Sequence, residues 1–215
     1  MSKKIRYVSP HSLVDLSCRC MQGRFLLRPS KLLNQLILGV LVLALRGTNI
    51  KVHSFSVLSN HWHLLVSIPS TWAMARAMRF FQGNTSKEVG RLHRWRGTLW
   101  SSPYRHTEVD NDEASQIARL RYHLAQGAKE GLVWNPKDWP GIHSARALIE
   151  GKPLVGRWIS RASQWAARRR KGADASDRAH GEKLELHLAP LPCWAHLPEK
   201  VWRQRVADLV EDIER

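Results

Sequence analysis

Two histidines, His61 and His63, lie in the short apolar segment 57–68, V-L-S-N-H-W-H-L-L-V-S-I. Successive side chains of a β-strand point to opposite faces, so both imidazoles share one face of a strand here. The opposite face is apolar throughout and consists of Trp62, Leu64, Val66 and Ile68. We expect helices to cover that face and leave the two imidazoles able to close on one metal ion. The alternative is a strand histidine pair without a metal, since the chain contains 11 histidines.

A tyrosine and a glutamine form a second candidate pair on a predicted helix. Ile117, Leu120 and Leu124 form the apolar stripe by which this helix packs. At about 100° per residue, Tyr122 lies far round the helix from that stripe, and Gln126, four residues on, emerges on the side of Tyr122. Tyr122 is therefore a candidate nucleophile, and the alternative is a half-buried tyrosine with a solvated hydroxyl. Tyr104, on a predicted strand, is its main competitor among the three tyrosines.

The charge of the chain indicates its class of partner. Lys and Arg number 34 against 18 for Asp and Glu, which gives a formal net charge of +16 and favours nucleic acid as the partner. An anionic membrane surface is the rival, but the longest apolar run, Leu36–Leu45, is too short for a bilayer, which needs about 20 residues. We therefore expect a buried helix there and no membrane partner.

The N-terminus and the cysteines indicate the compartment. Met1–Arg6 is polar and basic, with no apolar segment behind it, so no signal peptide is expected. Cys18, Cys20 and Cys193 are odd in number and lack a C-x-x-C spacing, which argues against a disulfide framework and a structural zinc site. A reducing cytoplasm, in association with the nucleoid, is the expected location.

The predicted elements upstream of the tyrosine helix define an α+β fold. They are a strand at 13–21, a helix at 30–46 capped by Ser30, a strand at 51–58, the histidine strand, a helix at 71–93 and a strand at 99–109. This order is that of a ferredoxin-like four-stranded antiparallel sheet with two helices on one face. The third helix, with a capping-box spacing at Asp110 and Glu113 and an end near Glu130, should dock near the open face. Gly83 and Asn84 are possible interruptions of the second helix.

The remaining chain is a basic, mostly helical C-terminal extension. We divide the chain into a catalytic domain, 1–148, and the extension, 149–215. A short helix predicted at 142–150 crosses this boundary, and the extension contains a basic helix at 157–171, a strand at 184–188 and a closing helix at 199–215. Arginines near tryptophans could contact phosphates while the indoles stack on bases, although most tryptophans are core anchors and an arginine run can be a solvated face. The candidate nucleic-acid-binding residues are Arg94, Arg96, Arg105, Arg119, Arg168, Arg169 and Arg170.

Three of these segments together resemble a known family. The histidine segment V-L-S-N-His61-Trp62-His63-L-L-V is similar to the His-hydrophobic-His signature of the HUH superfamily, most closely its REP-associated single-tyrosine transposases. Residues 120–133, L-R-Y-H-L-A-Q-G-A-K-E-G-L-V, and the segment P-K-D-W-P at 136–140 resemble the helix that carries the family's nucleophile and the segment after it. The resemblance covers residues 8–145.

The resemblance implies both a fold and an activity. It implies a ferredoxin-like sheet, a Tyr122 nucleophile, and a Mg²⁺ or Mn²⁺ ion held by His61, His63 and Gln126. The expected protein is a transposase that nicks and rejoins single-stranded or hairpin DNA through a 5′-phosphotyrosine intermediate, as a monomer or a homodimer. Covalent storage of the bond needs no nucleotide, and the chain has no G-x-x-x-x-G-K-[ST] loop.

One departure keeps other functions open. Relatives commonly carry Asn-Pro where this chain has Gln126-Gly127, although glutamine still offers a carbonyl oxygen to a metal. The first alternative is a decayed or domesticated relative that binds structured nucleic acid without cutting it. The others are a replication or plasmid-transfer initiator, whose extra helicase domains are missing here, and a structural metal protein.

Overall fold

The computed structural model of the protein describes residues 7–214, so the expectation about Met1–Arg6 lies outside the described residues. Its strands are β1 (Leu13–Arg19), β2 (Lys51–Val57), β3 (His61–Ser67), β4 (Arg105–Val109), β5 (Leu154–Ile159) and β6 (Gly181–Leu186). Its helices are α1 (Lys31–Leu45), α2 (Thr71–His93), α3 (Glu113–Leu124), α4 (Ala145–Glu150), α5 (Arg161–Arg168) and α6 (Glu199–Glu214). Within residues 7–214, no helix is both long and apolar enough to cross a membrane.

The main sheet confirms the predicted ferredoxin-like fold. Its four strands lie in the order β2-β3-β1-β4, and each neighbouring pair is antiparallel. In the β1–β3 register Asp15 lies opposite Leu65 and Ser17 lies opposite His63. Since directly opposed residues share a face, Asp15 stands on the histidine face of the sheet.

The two faces of β3 separate as the alternation predicts. Trp62, Leu64, Val66 and Ile68 are at most 1% exposed and pack in the core under α1 and α2. On the other face, Leu65 packs with Leu120 of α3 and with Trp194, Trp202 and Val206 of the C-terminal segment. The third helix therefore docks on the histidine face, and α6 joins it there.

The helix ends follow local capping, with two corrections. Ser30 Oγ accepts from Leu33 N at 3.2 Å and starts α1 as predicted. The capping box at Asp110 and Glu113 is wrong, because Asp112 is the N-cap of α3 and accepts from Ser115 N at 2.8 Å. Helix α3 also ends at Leu124 rather than near Glu130, since Gly127 has φ +93°, a value incompatible with a right-handed helix.

Two other local expectations need correction. Helix α2 runs from Thr71 to His93 without an interruption at Gly83 and Asn84. The fourth strand begins only at Arg105, beyond Pro103, although Trp100 makes an isolated bridge to Cys20. Proline removes a backbone donor, so the regular ladder starts after it.

The C-terminal part contains a β-hairpin in addition to its helices. Residues 157–159, predicted as the start of the basic helix, belong to β5, which pairs with β6. Helix α5 begins only at Arg161, because Ser160 caps it through Ser163 N. Trp158 packs against Phe80 of α2, with ring centroids 5.9 Å apart. Side chains from both sides of residue 148 thus share one core, and the division at that point stays a prediction.

An ion network holds the C-terminal part to α2. Glu88 is only 6% exposed, and its carboxylate accepts a hydrogen bond from Arg161 Nε at 3.1 Å. Arg161 also donates to Asp177 at 2.7 Å. Because a buried carboxylate needs a paired cation, this network joins α2, α5 and the segment after α5.

A close backbone contact between α1 and β5 allows only glycine. A methyl group built on Gly39 would overlap the backbone of Arg157, and one on Gly156 would overlap the backbone of Leu38 and Gly39. We predict that Gly39→Ala lowers the free energy of unfolding by about 1 to 3 kcal/mol, because α1 and β5 must separate. Gly83→Ala on α2 is the matched control, since nothing lies within 4 Å of its added methyl group.

That control should raise the free energy of unfolding by about 0.5 to 1 kcal/mol, as expected for alanine in an open helix position. Urea denaturation of both variants measures the two changes. Equal effects of the two substitutions would contradict the close packing of α1 on β5.

A buried neutral histidine should make the fold sensitive to acid. His53 bridges Ala189 O, at 3.3 Å, and Ser67 Oγ, at 2.8 Å, and burial lowers its pKa to about 4 from 6.5. Between these values the unfolded chain binds a proton that the folded chain does not, so stability is full above pH 6.5 and falls as the pH drops toward 4.

The loss attributable to His53 approaches about 3 kcal/mol, at 1.36 kcal/mol for each pKa unit. His143 is also buried with a pKa of about 4, so only a comparison isolates His53. We predict that His53→Gln has a shallower fall in unfolding free energy between pH 7.5 and 5 than the wild type. Parallel curves in urea titrations would contradict a neutral His53.

Candidate active site

The two predicted metal-binding histidines lie side by side at the start of β3. His61 and His63 are each 8% exposed, and their ring centroids are 5.2 Å apart with the planes nearly perpendicular. Both line one cleft of about 350 Å³ on the histidine face of the sheet. The strand alternation therefore brings the two rings to a common cleft wall.

The Nδ1 atom of each imidazole faces a side-chain oxygen, and in His61 the two atoms are hydrogen-bonded. His61 Nδ1 lies 2.6 Å from Asn60 Oδ1, an amide oxygen that can only accept, so Nδ1 carries the proton. His63 Nδ1 is buried and lies 3.9 Å from the Asp15 carboxylate, with no hydrogen-bond partner among residues 7–214. Burial lowers the pKa of His61 to about 4, which keeps its ring neutral at pH 7. A neutral imidazole whose other nitrogen is held by an acceptor is the usual form of a metal ligand.

Gln126 approaches the same pair although it lies beyond the end of α3. Its residue is 2% exposed, and its Nε2 donates to Tyr122 O at 3.2 Å. The Gln126 side chain also makes a hydrogen bond with the His61 side chain. The amide of Gln126 and the imidazole of His61 thus meet at one place, as the family resemblance implies.

Tyr122 stands over the histidine pair from the last turn of α3. Its ring centroid is 5.6 Å from that of His63, and the residue is 37% exposed in the cleft. Two cations flank the phenol ring, with Arg119 Cζ at 5.8 Å and Lys129 Nζ at 5.1 Å from the centroid. Its competitor Tyr104 is 5% exposed and belongs to the core under α1 and α2. Tyr122 is therefore the tyrosine that reaches the cleft.

Asp15 and His123, which sequence reasoning missed, form a buried network behind these groups. Asp15 accepts from Arg119 Nη1 at 3.0 Å and from His123 Nε2 at 3.1 Å. His123 Nδ1 in turn accepts from Ser54 Oγ at 2.7 Å. Burial alone would raise the pKa of the Asp15 carboxyl. Its interactions with His123 and His63 outweigh that effect and hold the pKa well below its usual range. Burial lowers the pKa of His123, so its ring is neutral and donates through Nε2.

A second set of potential metal ligands shares His63 with the predicted one. In the described part of the chain, Asp15, His63 and His123 are the group of three whose ligand atoms all lie within 4.8 Å of one another, and it could hold a metal ion. Both oxygens of Asp15, however, already accept from protein donors. The signal in the sequence was an acidic residue at the centre of a strand that the ferredoxin-like order places next to β3.

The candidate nucleic-acid-binding arginines fall into separate regions. Arg105 lines the cleft, whereas Arg119 binds Asp15 beneath Tyr122. Arg94 and Arg96 follow the end of α2, where Arg24 covers the Trp95 ring at 5.0 Å. The run 168–170 follows α5, and Arg169 lies 4.7 Å from the Trp165 ring. Only Arg105 and Arg119 thus adjoin the cleft.

Comparison with known proteins agrees with this fold. Residues 31–122 match the family model described as "Transposase IS200 like", a segment of a little under half of the chain that contains His61, His63 and Tyr122. Over this segment the chain is similar to the IS200-like transposases. A sequence search of curated proteins finds no match.

Two solved structures extend the comparison. The structure of a REP-associated tyrosine transposase bound to a REP hairpin is similar with a TM-score of 0.55 and 15% identity, covering 86% of this chain and 99% of that chain. A candidate transposase from Deinococcus radiodurans R1 has a TM-score of 0.33 and 16% identity, covering 56% of this chain and 95% of that chain. The first likeness supports the fold across most of both chains.

The Asp15 network should contribute measurably to stability. We predict that Asp15→Asn lowers the free energy of unfolding by about 3 kcal/mol, because it leaves Arg119 and the buried His123 without their anionic partner. In the double variant with Arg119→Gln, the loss should be smaller than the sum of the two single losses. Asp138→Asn, whose side chain is 64% exposed in a surface ion pair, should change stability by less than about 0.5 kcal/mol.

Urea denaturation of this set gives the coupling energy between Asp15 and Arg119. If the losses of unfolding free energy from the two single substitutions simply added, this would contradict an energetic coupling between Asp15 on β1 and Arg119 on α3.

Proposed function

We propose that the protein is a metal-dependent DNA strand transferase that nicks and rejoins single-stranded or hairpin DNA through a 5′-phosphotyrosine at Tyr122. The observation that carries this proposal is the 5.6 Å separation between the Tyr122 and His63 rings in a cleft that also contains His61 and Gln126. These side chains come from a strand and from a helix with its following turn, and packing of α3 on the sheet brings them together.

We assign the metal to His61, His63 and Gln126. The two imidazoles, each with Nδ1 facing a side-chain oxygen, and the amide oxygen are donors that suit a divalent ion, and they border an open cleft. The group of Asp15, His63 and His123 fits less well, because an ion there would have to displace Arg119 from the carboxylate. Mg²⁺ or Mn²⁺ follows from cellular availability, since imidazole binds zinc or copper more tightly.

The chain's own residues account for the transfer step. The Tyr122 oxygen forms a bond to phosphorus and loses its proton, while the bond to the 3′-oxygen breaks and that oxygen leaves as a hydroxyl after gaining a proton. The reverse step rejoins the strand, so no nucleotide is consumed. Arg105 lines the cleft where phosphate charge would lie, and Arg119 and Lys129 flank the phenol. A bound divalent ion would polarise the phosphodiester and offset charge in the transition state.

The substrate and setting follow from charge and from the structural relative. A net charge of +16 supports a polyanionic partner, and the structurally similar transposase is bound to a REP hairpin. We propose hairpin DNA with single-stranded flanks as the substrate, in the cytoplasm beside the nucleoid. Residues 149–215 would add contacts through the basic end of α5, and the active form is a monomer or a homodimer.

We predict that Tyr122→Phe abolishes covalent attachment to DNA. After attack, the DNA fragment on the 3′ side of the cut stays attached to the protein. A hairpin oligonucleotide labelled in that fragment and incubated with Mn²⁺ therefore reveals the wild-type adduct on a denaturing gel. Tyr104→Phe, in the core away from the cleft, should retain it. Tight binding without an adduct in the wild type would contradict the proposed transferase and favour a relative that binds structured DNA without cutting it.

A further inference from the structure

A second cleft of about 590 Å³ adjoins the candidate active site. The two clefts share the lining residues His61 and Glu130, so they are neighbours on the surface of the protein. Phe25 and Leu132 line the second cleft, and they are 70% and 54% exposed. Exposed apolar side chains gathered beside a catalytic cleft are typical of a binding site.

The backbone holds Phe25 in place. Leu27 N donates to Ser59 O at 2.9 Å, and Cys20 N donates to Asn60 O at 2.7 Å, so both sides of the loop are tied to the turn before His61. The Asn60 amide also donates to Gly23 O at 3.2 Å. Leu27 is 1% exposed, whereas Phe25 of the same loop projects from the surface. The loop backbone is therefore held in place, and it presents the aromatic ring of Phe25 to the cleft.

Leu132, which also lines this cleft, lies on a hydrogen-bonded turn as well. Leu132 follows Gly131, which has φ +66°, and Leu132 N donates to Gly127 O at 2.8 Å. The turn that returns Gln126 to His61 thus also carries Leu132. An aromatic side chain and an aliphatic one, each on an anchored loop, form a slot next to the site of chemistry.

We propose that this slot binds the unpaired base of a nucleotide next to the scissile phosphate, stacked on Phe25. This inference rests on the proposed function. A strand whose phosphate lies at His61 and Tyr122 has its neighbouring nucleotide beside the slot, because His61 lines both clefts. Arg28 lines the slot and supplies charge for the adjacent phosphate. Aromatic stacking tolerates any base but requires it to be unpaired, so the slot selects single-stranded DNA rather than a sequence.

Binding measurements in a Tyr122→Phe background test the slot without turnover. The probe is a hairpin oligonucleotide with single-stranded flanks, in which an abasic site is moved one nucleotide at a time, and affinity is read by fluorescence anisotropy. Phe25→Ala should weaken binding of the intact probe about 5- to 150-fold, the range equivalent to about 1 to 3 kcal/mol for one stacked base. Phe25→Trp should retain the affinity.

Energetic coupling between Phe25 and one nucleotide distinguishes base stacking from a general loss of DNA affinity. The abasic site at one flank position should weaken binding as much as Phe25→Ala does, and the two changes together should cost no more than either alone. Trp72→Ala is the matched control, since Trp72 is also 70% exposed but follows the far end of β3. It should leave affinity unchanged.

Three results would overturn the slot: wild-type affinity in Phe25→Ala, no abasic position coupled to Phe25, or a Phe25→Ala change in oligomeric state by sedimentation, which would assign the surface to a second copy of this chain. Failure of the proposed function is distinguishable, because it appears as the absence of a Tyr122 adduct in the wild type. Base stacking in the Tyr122→Phe background can succeed or fail independently of that adduct.

Discussion

The site depends on the pairing of the buried Asp15 carboxylate with Arg119 and His123. Asp15 stands on β1, and the two groups that satisfy it, Arg119 and His123, are both on α3. Because a buried charge must be paired, these bonds set the position of α3 on the sheet. Tyr122 lies between the two residues along the helix, so the same bonds hold its ring 5.6 Å from that of His63. The bonds that stabilise the packing of α3 on the sheet thus also position Tyr122 in the candidate site.

The rest of the chain completes this arrangement from both sides of the sheet. Trp194, Trp202 and Val206 pack with Leu65 and Leu120, so the C-terminal segment holds α3 down next to the cleft. On the other side, the contact of Gly39 with β5 and the pairing of Glu88 with Arg161 fasten the hairpin and α5 to α1 and α2. The cleft remains open where this cover ends, at the start of β3.

Local patterns predicted what depends on neighbours in sequence. Alternation in β3 placed His61 and His63 on one face, and helix geometry set Tyr122 apart from the apolar stripe of α3. What the sequence could not provide depends on tertiary contacts: the β1–β3 register brings Asp15 to the histidines, and the conformation at Gly127 ends α3 and returns Gln126 to His61. The basic run at 157–159 also reads as helix, but Trp158 packs against Phe80 and the segment forms a strand. The roles assigned to the arginines stay predictions.

The location of a bound ion tests most directly whether Asp15 pairs with Arg119 and His123 to hold α3 on the sheet or instead binds the metal. Crystals of the protein grown with Mn²⁺ would give an anomalous difference peak at the ion. We expect a peak within about 2 Å of the side chains of His61, His63 and Gln126, with Arg119 still bound to Asp15. A peak among Asp15, His63 and His123, with Arg119 displaced, would contradict this assignment.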